Sequence, residues 1–186
     1  MVNVQYRTAR PEDIPEMVDL YVLALTDMHK RFNIPMSAPA KSAMLITYGH
    51  ILSTGIFHVA EQNGRIVAIA GAIIRDHLWF LSQFWVKPEI QRKNIGMPLL
   101  RRVWNVGKEM GATIFFTWAS VDPTAMASYM KLGMLPGYPI LVFKGEPTQI
   151  PALPVDYQAV ELNPTENMAL DRIVRGTQRK PEHAFW

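Results

Sequence analysis

The sequence predicts an α+β protein with a mixed, mainly antiparallel central sheet flanked by helices. Three observations point there. Strand-like stretches at Ile56–Glu61, Arg65–Arg75 and Leu78–Val86 follow one another across tight turns, which makes an antiparallel meander and not a doubly wound sheet. On both sides of the meander apolar residues recur at gaps of three and four, the spacing of an amphipathic helix. After the third strand the pattern alternates between helix and strand, giving the order β-α-α-β-β-β-α-β-α-β.

Taken in order, Val2–Thr8 alternates weakly and reads as a short strand. Pro11-Glu12-Asp13 then opens a helix whose stripe is Ile14, Met17, Val18, Tyr21, Leu25 and Met28. A first-turn proline is tolerated there, and acidic residues suit the positive end of the helix dipole. Two prolines in residues 33–39 break the pattern before a second helix from Lys41 to about Leu52, with Met44, Tyr48 and Ile51 inward. Gly55 ends it. Between the first two strands of the meander, Asn63-Gly64 is a strong hairpin signal. Met97–Met110 is a helix with Leu99, Leu100, Val103, Val106 and Met110 on one face, closed by Gly111. Thr113–Ser120 suits a buried strand. Asp122-Pro123 caps a helix running to Leu132, and Ile140–Lys144 is the last strand of a domain covering residues 1–146.

Pro147, Pro151 and Pro154 make residues 147–154 a linker. Residues 155–186 form an extension with a strand at Tyr157–Leu162 and a helix at Thr165–Gly176. Leu162-Asn163-Pro164-Thr165-Glu166 echoes Ala9-Arg10-Pro11-Glu12-Asp13, so one reading is a second copy of the first β-α unit, begun and cut short. The other is a docking or dimerisation arm, or a partly ordered tail.

Composition narrows the function classes. The 186 residues contain no cysteine, which excludes a disulfide framework, a thiolate metal site and a cysteine nucleophile. An apolar share of 49% with 5 Trp, 8 Phe and 6 Tyr excludes a disordered chain. No run of 18 apolar residues and no secretory leader is seen, so a cytoplasmic protein without a membrane partner is expected. The net charge of +3 is too small for diffuse nucleic-acid binding.

Chemistry concentrates in Phe84-Trp85-Val86-Lys87-Pro88-Glu89-Ile90-Gln91-Arg92-Lys93-Asn94-Ile95-Gly96-Met97-Pro98-Leu99. A strand ends at Val86, a loop follows, and a helix begins at about Gly96. Such a loop presents unpaired backbone N–H groups at a helix N-terminus, a ready site for a pyrophosphate. Asn94 takes a positive φ at low cost, Gly96 leaves room for a ligand at the backbone, and Arg92 and Lys93 add positive charge.

These residues resemble the GCN5-related N-acetyltransferase (GNAT) family, whose acetyl-CoA loop reads (Gln/Arg)-x-x-Gly-x-(Gly/Ala). Gln91-Arg92-Lys93-Asn94-Ile95-Gly96 matches it with Asn94 in place of the first glycine. A second family pattern, Asn-x-x-Ala-x-x-x-Tyr-x-x-x-Gly-Phe, is met by Asp122, Ala125, Tyr129, Gly133 and Met134. With the element order, the resemblance covers about residues 4–146.

It implies a GNAT-like acyl-CoA N-acyltransferase fold and transfer of an acetyl group from acetyl-CoA, as co-substrate and without a metal, to a primary amine in a ternary complex. Backbone groups of Phe84, Trp85 and Val86 would pair with the pantetheine arm like an added strand. Gln91 opens the loop, the amides of Arg92, Lys93, Asn94, Ile95, Gly96 and Met97 would hold the pyrophosphate, and Asp122 stands with the coenzyme-binding residues. Tyr129 would protonate the departing thiolate; without the family match it reads as a core tyrosine beside Met126.

A general base is not legible. The strand Trp79–Trp85 holds no carboxylate, so Glu89 and His77 are the nearest candidates, with Asp76 and His58 farther off. A lone histidine on a strand is more often structural, and an amine already deprotonated in solvent is the alternative. Trp79, Trp85 and Trp118 are candidate walls of an acceptor cleft, although aromatics on strands are more often core. The acceptor stays open between a small-molecule amine and a protein amino group, and a homodimer is expected. The competing reading is a catalytically silent acyl-CoA-binding module.

Overall fold

The computed structural model describes residues 4–141 and 163–185, together with residues 145, 146, 148, 149, 151, 152, 154–158 and 160. Five strands form one sheet in the order β1 (Val4–Thr8), β2 (Ile56–Gln62), β3 (Arg65–Arg75), β4 (Leu78–Val86), β5 (Ile114–Thr117). The first four are antiparallel and β5 runs parallel to β4. The hairpin turn at Asn63-Gly64 has positive φ at both residues, as a two-residue turn matched to strand twist requires.

Helices α1 (Ile14–Arg31) and α2 (Lys41–Thr54) cover one face of the sheet. Met17, Leu20, Tyr48 and Ile51 pack there against Phe57, Val59 and Ile69, all at most 2% exposed. Helix α3 (Gly96–Glu109) covers the other face, where Leu99, Leu100 and Val103 meet Ala70, Ala72 and Trp79. The α3 backbone comes close because position 107 is glycine: a Cβ there would lie 2.4 Å from the Trp79 ring. Helices α4 (Pro123–Met130), α5 (Pro164–Arg175) and α6 (Lys180–Phe185) complete the order. No helix among the described residues is long and apolar enough to cross a membrane.

Several boundaries differ from expectation. Pro11–Asp13 is a 3-10 turn and α1 starts only at Ile14, because Asp13 is drawn back to the Arg10 amide (2.7 Å) and the Arg7 guanidinium. The strand expected at Thr113–Ser120 shortens to Ile114–Thr117, since β4 offers it partners only from Leu78 to Leu81. The helix expected to reach Leu132 stops at Met130, where Gly133 turns with a φ of 93°. Of the expected strand Ile140–Lys144, residues 142–144 lie outside the described residues, and Ile140 and Leu141 have no regular structure. Of Tyr157–Leu162, residues 159, 161 and 162 lie outside them and the rest is irregular.

The extension folds back on its own chain. Thr177 donates its hydroxyl to the Arg75 carbonyl (3.0 Å) and to Asp76 (2.8 Å), and Glu182 accepts from the Arg75 Nε at 2.8 Å. Helix α6, which carries Glu182, has no apolar stripe long enough to read from sequence.

Candidate active site

The site begins where two strands part. Thr117 donates its hydroxyl to the Leu81 carbonyl at 2.9 Å, the last bond between β5 and β4. Beyond it β4 continues to Val86 with no partner on that side among the described residues. Register against β3 also slips here, from Gly71↔Gln83 to Ala72↔Leu81, which leaves Ser82 as an extra residue on β4. A bulge adds local twist and bends the strand. A cavity of about 410 Å³ fills the opening. Its walls include Met28 and Trp85 from the α1–α2 face and Phe84, Val86 and Tyr129 from the α3 face, so it passes through the sheet.

The loop expected to bind phosphate lies at one end. Gln91 Nε2 donates to the Val86 carbonyl at 3.1 Å, which ties the loop to the end of β4. Arg92 (φ 64°) and Asn94 (φ 58°) are both left-handed, and such alternation turns successive amides to one side as an anion nest. Among the described residues the amides of Arg92, Asn94, Ile95, Gly96 and Met97 have no hydrogen-bond partner. The Lys93 amide is different: it donates to the Ile90 carbonyl at 3.4 Å, and Lys93 lies outside the cavity wall. At Gly96, which lines the cavity, a Cβ would lie 3.0 Å from the Phe84 ring and 3.2 Å from Val86, so the missing side chain makes room for β4 as well as for a ligand.

Helix α4 frames the other side. Asp122 caps it, accepting the Thr124 amide at 2.8 Å. Its second oxygen takes two bonds of 3.1 Å from Arg31 at the end of α1, which also holds Asp27 at 2.7 Å. Burial raises the Asp122 pKa, but the Thr124 amide and Arg31 outweigh it and leave the carboxyl below its ordinary value. One turn and more along α4, Tyr129 is 8% exposed and its ring centre lies 6.1 Å from that of Phe84. Burial, with Asp122 adding, pushes its phenol up to about 12. At neutral pH the phenol is therefore protonated.

Every other sequence-expected coenzyme residue lines this one cavity: Phe84, Trp85, Val86, Gln91, Arg92, Asn94, Ile95, Gly96, Met97 and Asp122, with Tyr129. The candidate bases do not. Glu89 is exposed on the 3-10 turn Pro88–Ile90. His77 sits at the opposite end of β4, where its carbonyl takes the amides of Thr113 and Ile114. Asp76 is occupied by Thr177 and the Gln178 amide. His58 faces α3, and burial, with Arg102 adding, lowers its pKa. Trp79 is fully buried against Trp104 and Phe115 and is core, whereas Trp118 is 69% exposed at the cavity rim.

Sequence reasoning missed Arg31, Ser82 and Gln83. Gln83 accepts from both the Tyr48 hydroxyl (3.0 Å) and the Trp85 indole N–H (2.9 Å). Its only sequence signal was a polar residue in an aromatic strand. Among the described residues no group of three or more His, Cys, Asp or Glu side chains is placed to hold a metal ion.

Comparison with solved structures places this fold beside known ones. A predicted acetyltransferase from Clostridium acetobutylicum, crystallised with acetyl-CoA, is 19% identical over 76% of this chain and 96% of its own, with a TM-score of 0.64. A candidate acetyltransferase from Pyrococcus horikoshii is 18% identical over 98% of this chain, with a TM-score of 0.68; this chain spans only 61% of its length. An aminoglycoside N-acetyltransferase in complex with CoA is 15% identical over 78% of this chain and 96% of its own, with a TM-score of 0.62. No curated protein matches the sequence. The model of the acetyltransferase (GNAT) family matches residues 17–134, which is most of the sheet, the loop and α4, and the chain belongs to that family.

Proposed function

We propose that the protein transfers the acetyl group of acetyl-CoA to a primary amine by direct attack in a ternary complex. The observation that carries this reading is the cavity through the sheet, with five unpaired amides and Tyr129 toward its α3 side and an apolar wall toward α1. The first would take the coenzyme and the second the acceptor, so that the thioester lies in the gap between β4 and β5. Membership of the acetyltransferase (GNAT) family and likeness to structures crystallised with acetyl-CoA or CoA support it.

In this reading the amides of Arg92 and of Asn94 through Met97 bind pyrophosphate oxygens, helped by the α3 dipole. The free edge of β4 at Phe84 and Trp85 pairs with the pantetheine amides as an added strand; the Val86 carbonyl already accepts from Gln91. The amine nitrogen attacks the thioester carbon, the carbon–sulfur bond breaks, and the amine proton leaves to water. Tyr129 gives its proton to the thiolate and regains one from solvent.

One observation favours a second reading. No free carboxylate or imidazole lines the cavity among the described residues, so a silent acyl-CoA-binding module is the competitor. Calorimetric titration with acetyl-CoA, followed by thiol release over a set of amines, separates the two. Binding with turnover is expected; binding without turnover of any amine removes the enzyme reading.

A further inference from the structure

The acceptor half of the cavity, taken on the acetyl-transfer reading above, has a definite chemical character. Its wall on the α1 side is mostly apolar: Ala24 and Met28 of α1 and the indoles of Trp85 and Trp118, with the Arg31 guanidinium at the end of α1 turned to Asp122. The Trp85 ring stands edge-on to Tyr21 at 5.2 Å, and its N–H is consumed by Gln83. Gln83 Oε1 in turn takes the Tyr48 hydroxyl as well, so this wall's polar groups satisfy one another. Trp118 meets Phe80 edge-to-face at 5.3 Å and leaves most of its own surface open at the rim.

Charge completes the picture. The titratable groups lining the cavity, among the described residues, are Arg31, Arg92, Lys131, Asp122 and Tyr129. Asp122 is the only carboxylate, and the Thr124 amide and Arg31 already occupy it. An ammonium entering this half would be partly desolvated and, among the described residues, would meet no free carboxylate, which disfavours its charged form. Among the described residues no lining carboxylate or imidazole is free to take its proton either. The reactive species must therefore arrive as the free base. For an amine as basic as a lysine side chain only about one molecule in 10³ is neutral at pH 7, whereas an amine conjugated to an aromatic ring is wholly neutral there.

We infer that the acceptor is a weakly basic aromatic amine, bound as the free base between Trp85 and Trp118. Aromatic pairing supplies binding that needs no charge. Among the described residues the cavity offers polycationic acceptors such as aminoglycosides or polyamines no free carboxylate to hold them.

The experiment measures thiol release from acetyl-CoA by the full chain with a ring-substituted aniline, benzylamine, spermidine and an aminoglycoside. At pH 7 the aniline is expected to give a kcat/KM at least about tenfold above the others. Its pH profile is expected to stay flat from pH 6 to 9, while that of benzylamine climbs about tenfold per pH unit, following the amine's own ionisation. A preference for spermidine or the aminoglycoside, or one inflection near neutrality shared by both aromatic substrates, overturns the inference and leaves acetyl transfer standing. Absence of acetyl-CoA binding by calorimetry, or binding without turnover of any amine, removes both. Trp118→Ala should raise KM for the aniline about fivefold or more with CoA affinity unchanged. An equal loss for every amine would show that Trp118 does not select the aromatic body.

Discussion

Arg31, in the last turn of α1, places two hydrogen bonds of 3.1 Å on one carboxylate oxygen of Asp122, 91 residues away at the N-cap of α4. The pair joins the two walls of the cavity that come from opposite sides of the sheet. One carboxylate thereby caps a helix and pairs with a cation, so its charge is already engaged by Arg31.

Asp122→Ala removes the cap and the ion pair together. The cap is worth about 1 kcal/mol; the pair adds well under about 1 kcal/mol, because the Arg31 side chain is 35% exposed. The folded-state pKa of Asp122 is depressed, so its stabilisation is present above the ordinary carboxylate value of 3.8 and is lost as pH falls through the lower, folded value. Denaturant melts of both proteins should differ by a constant amount at neutral pH, and the gap should narrow below pH 3.8 as the charge-dependent part is lost. A gap of unchanged size at the acid end contradicts this.

Gly96→Val tests what the glycine is for. Its new atoms would press on Phe84 and Val86 at the parting of the strands. We expect a loss of about 1–3 kcal/mol in stability, as for an overpacked core position, together with weaker CoA binding. Full stability with CoA binding alone abolished would show that the position serves only the ligand.

Asn94 carries a positive φ of 58°, a conformation that costs most residues about 1–2 kcal/mol and glycine almost nothing. Asn94→Gly should hold or improve stability and keep CoA binding, while Asn94→Ala should weaken both. Titration of CoA against the two variants decides it; equal behaviour would mean the loop does not use this backbone geometry.

Tyr129→Phe keeps the ring against Phe84 and removes only the phenolic proton. Turnover should fall by about 10²-fold, the lower end for loss of a general acid, with CoA affinity and melting temperature unchanged. Unaltered turnover would return Tyr129 to the core.

Much of this protein was written locally. Helix stripes of period 3.6, the Asn63-Gly64 turn and the Asp122 cap act over a few residues, and each formed within a few residues of where the sequence placed it, although Met110, expected on the α3 stripe, is 57% exposed just past the end of α3. The positive φ of Asn94 was legible for the same reason: a short polar side chain at a loop-to-helix junction tolerates it. The meander was legible because its turns are short.

Position across the sheet was decided only by the tertiary structure. The bulge at Ser82 depends on how β3 and β4 settle in register, and no residue type at 82 announces it. Where β5 leaves β4, and hence the opening itself, depends on a pairing 36 residues apart. Gly96 turned out to face β4, Trp79 to be core, and Arg31 to reach Asp122, because each outcome rests on surfaces brought together from distant parts of the chain. Propensity and periodicity describe neighbours along the backbone; a cavity through a sheet is made by residues that are neighbours only after folding.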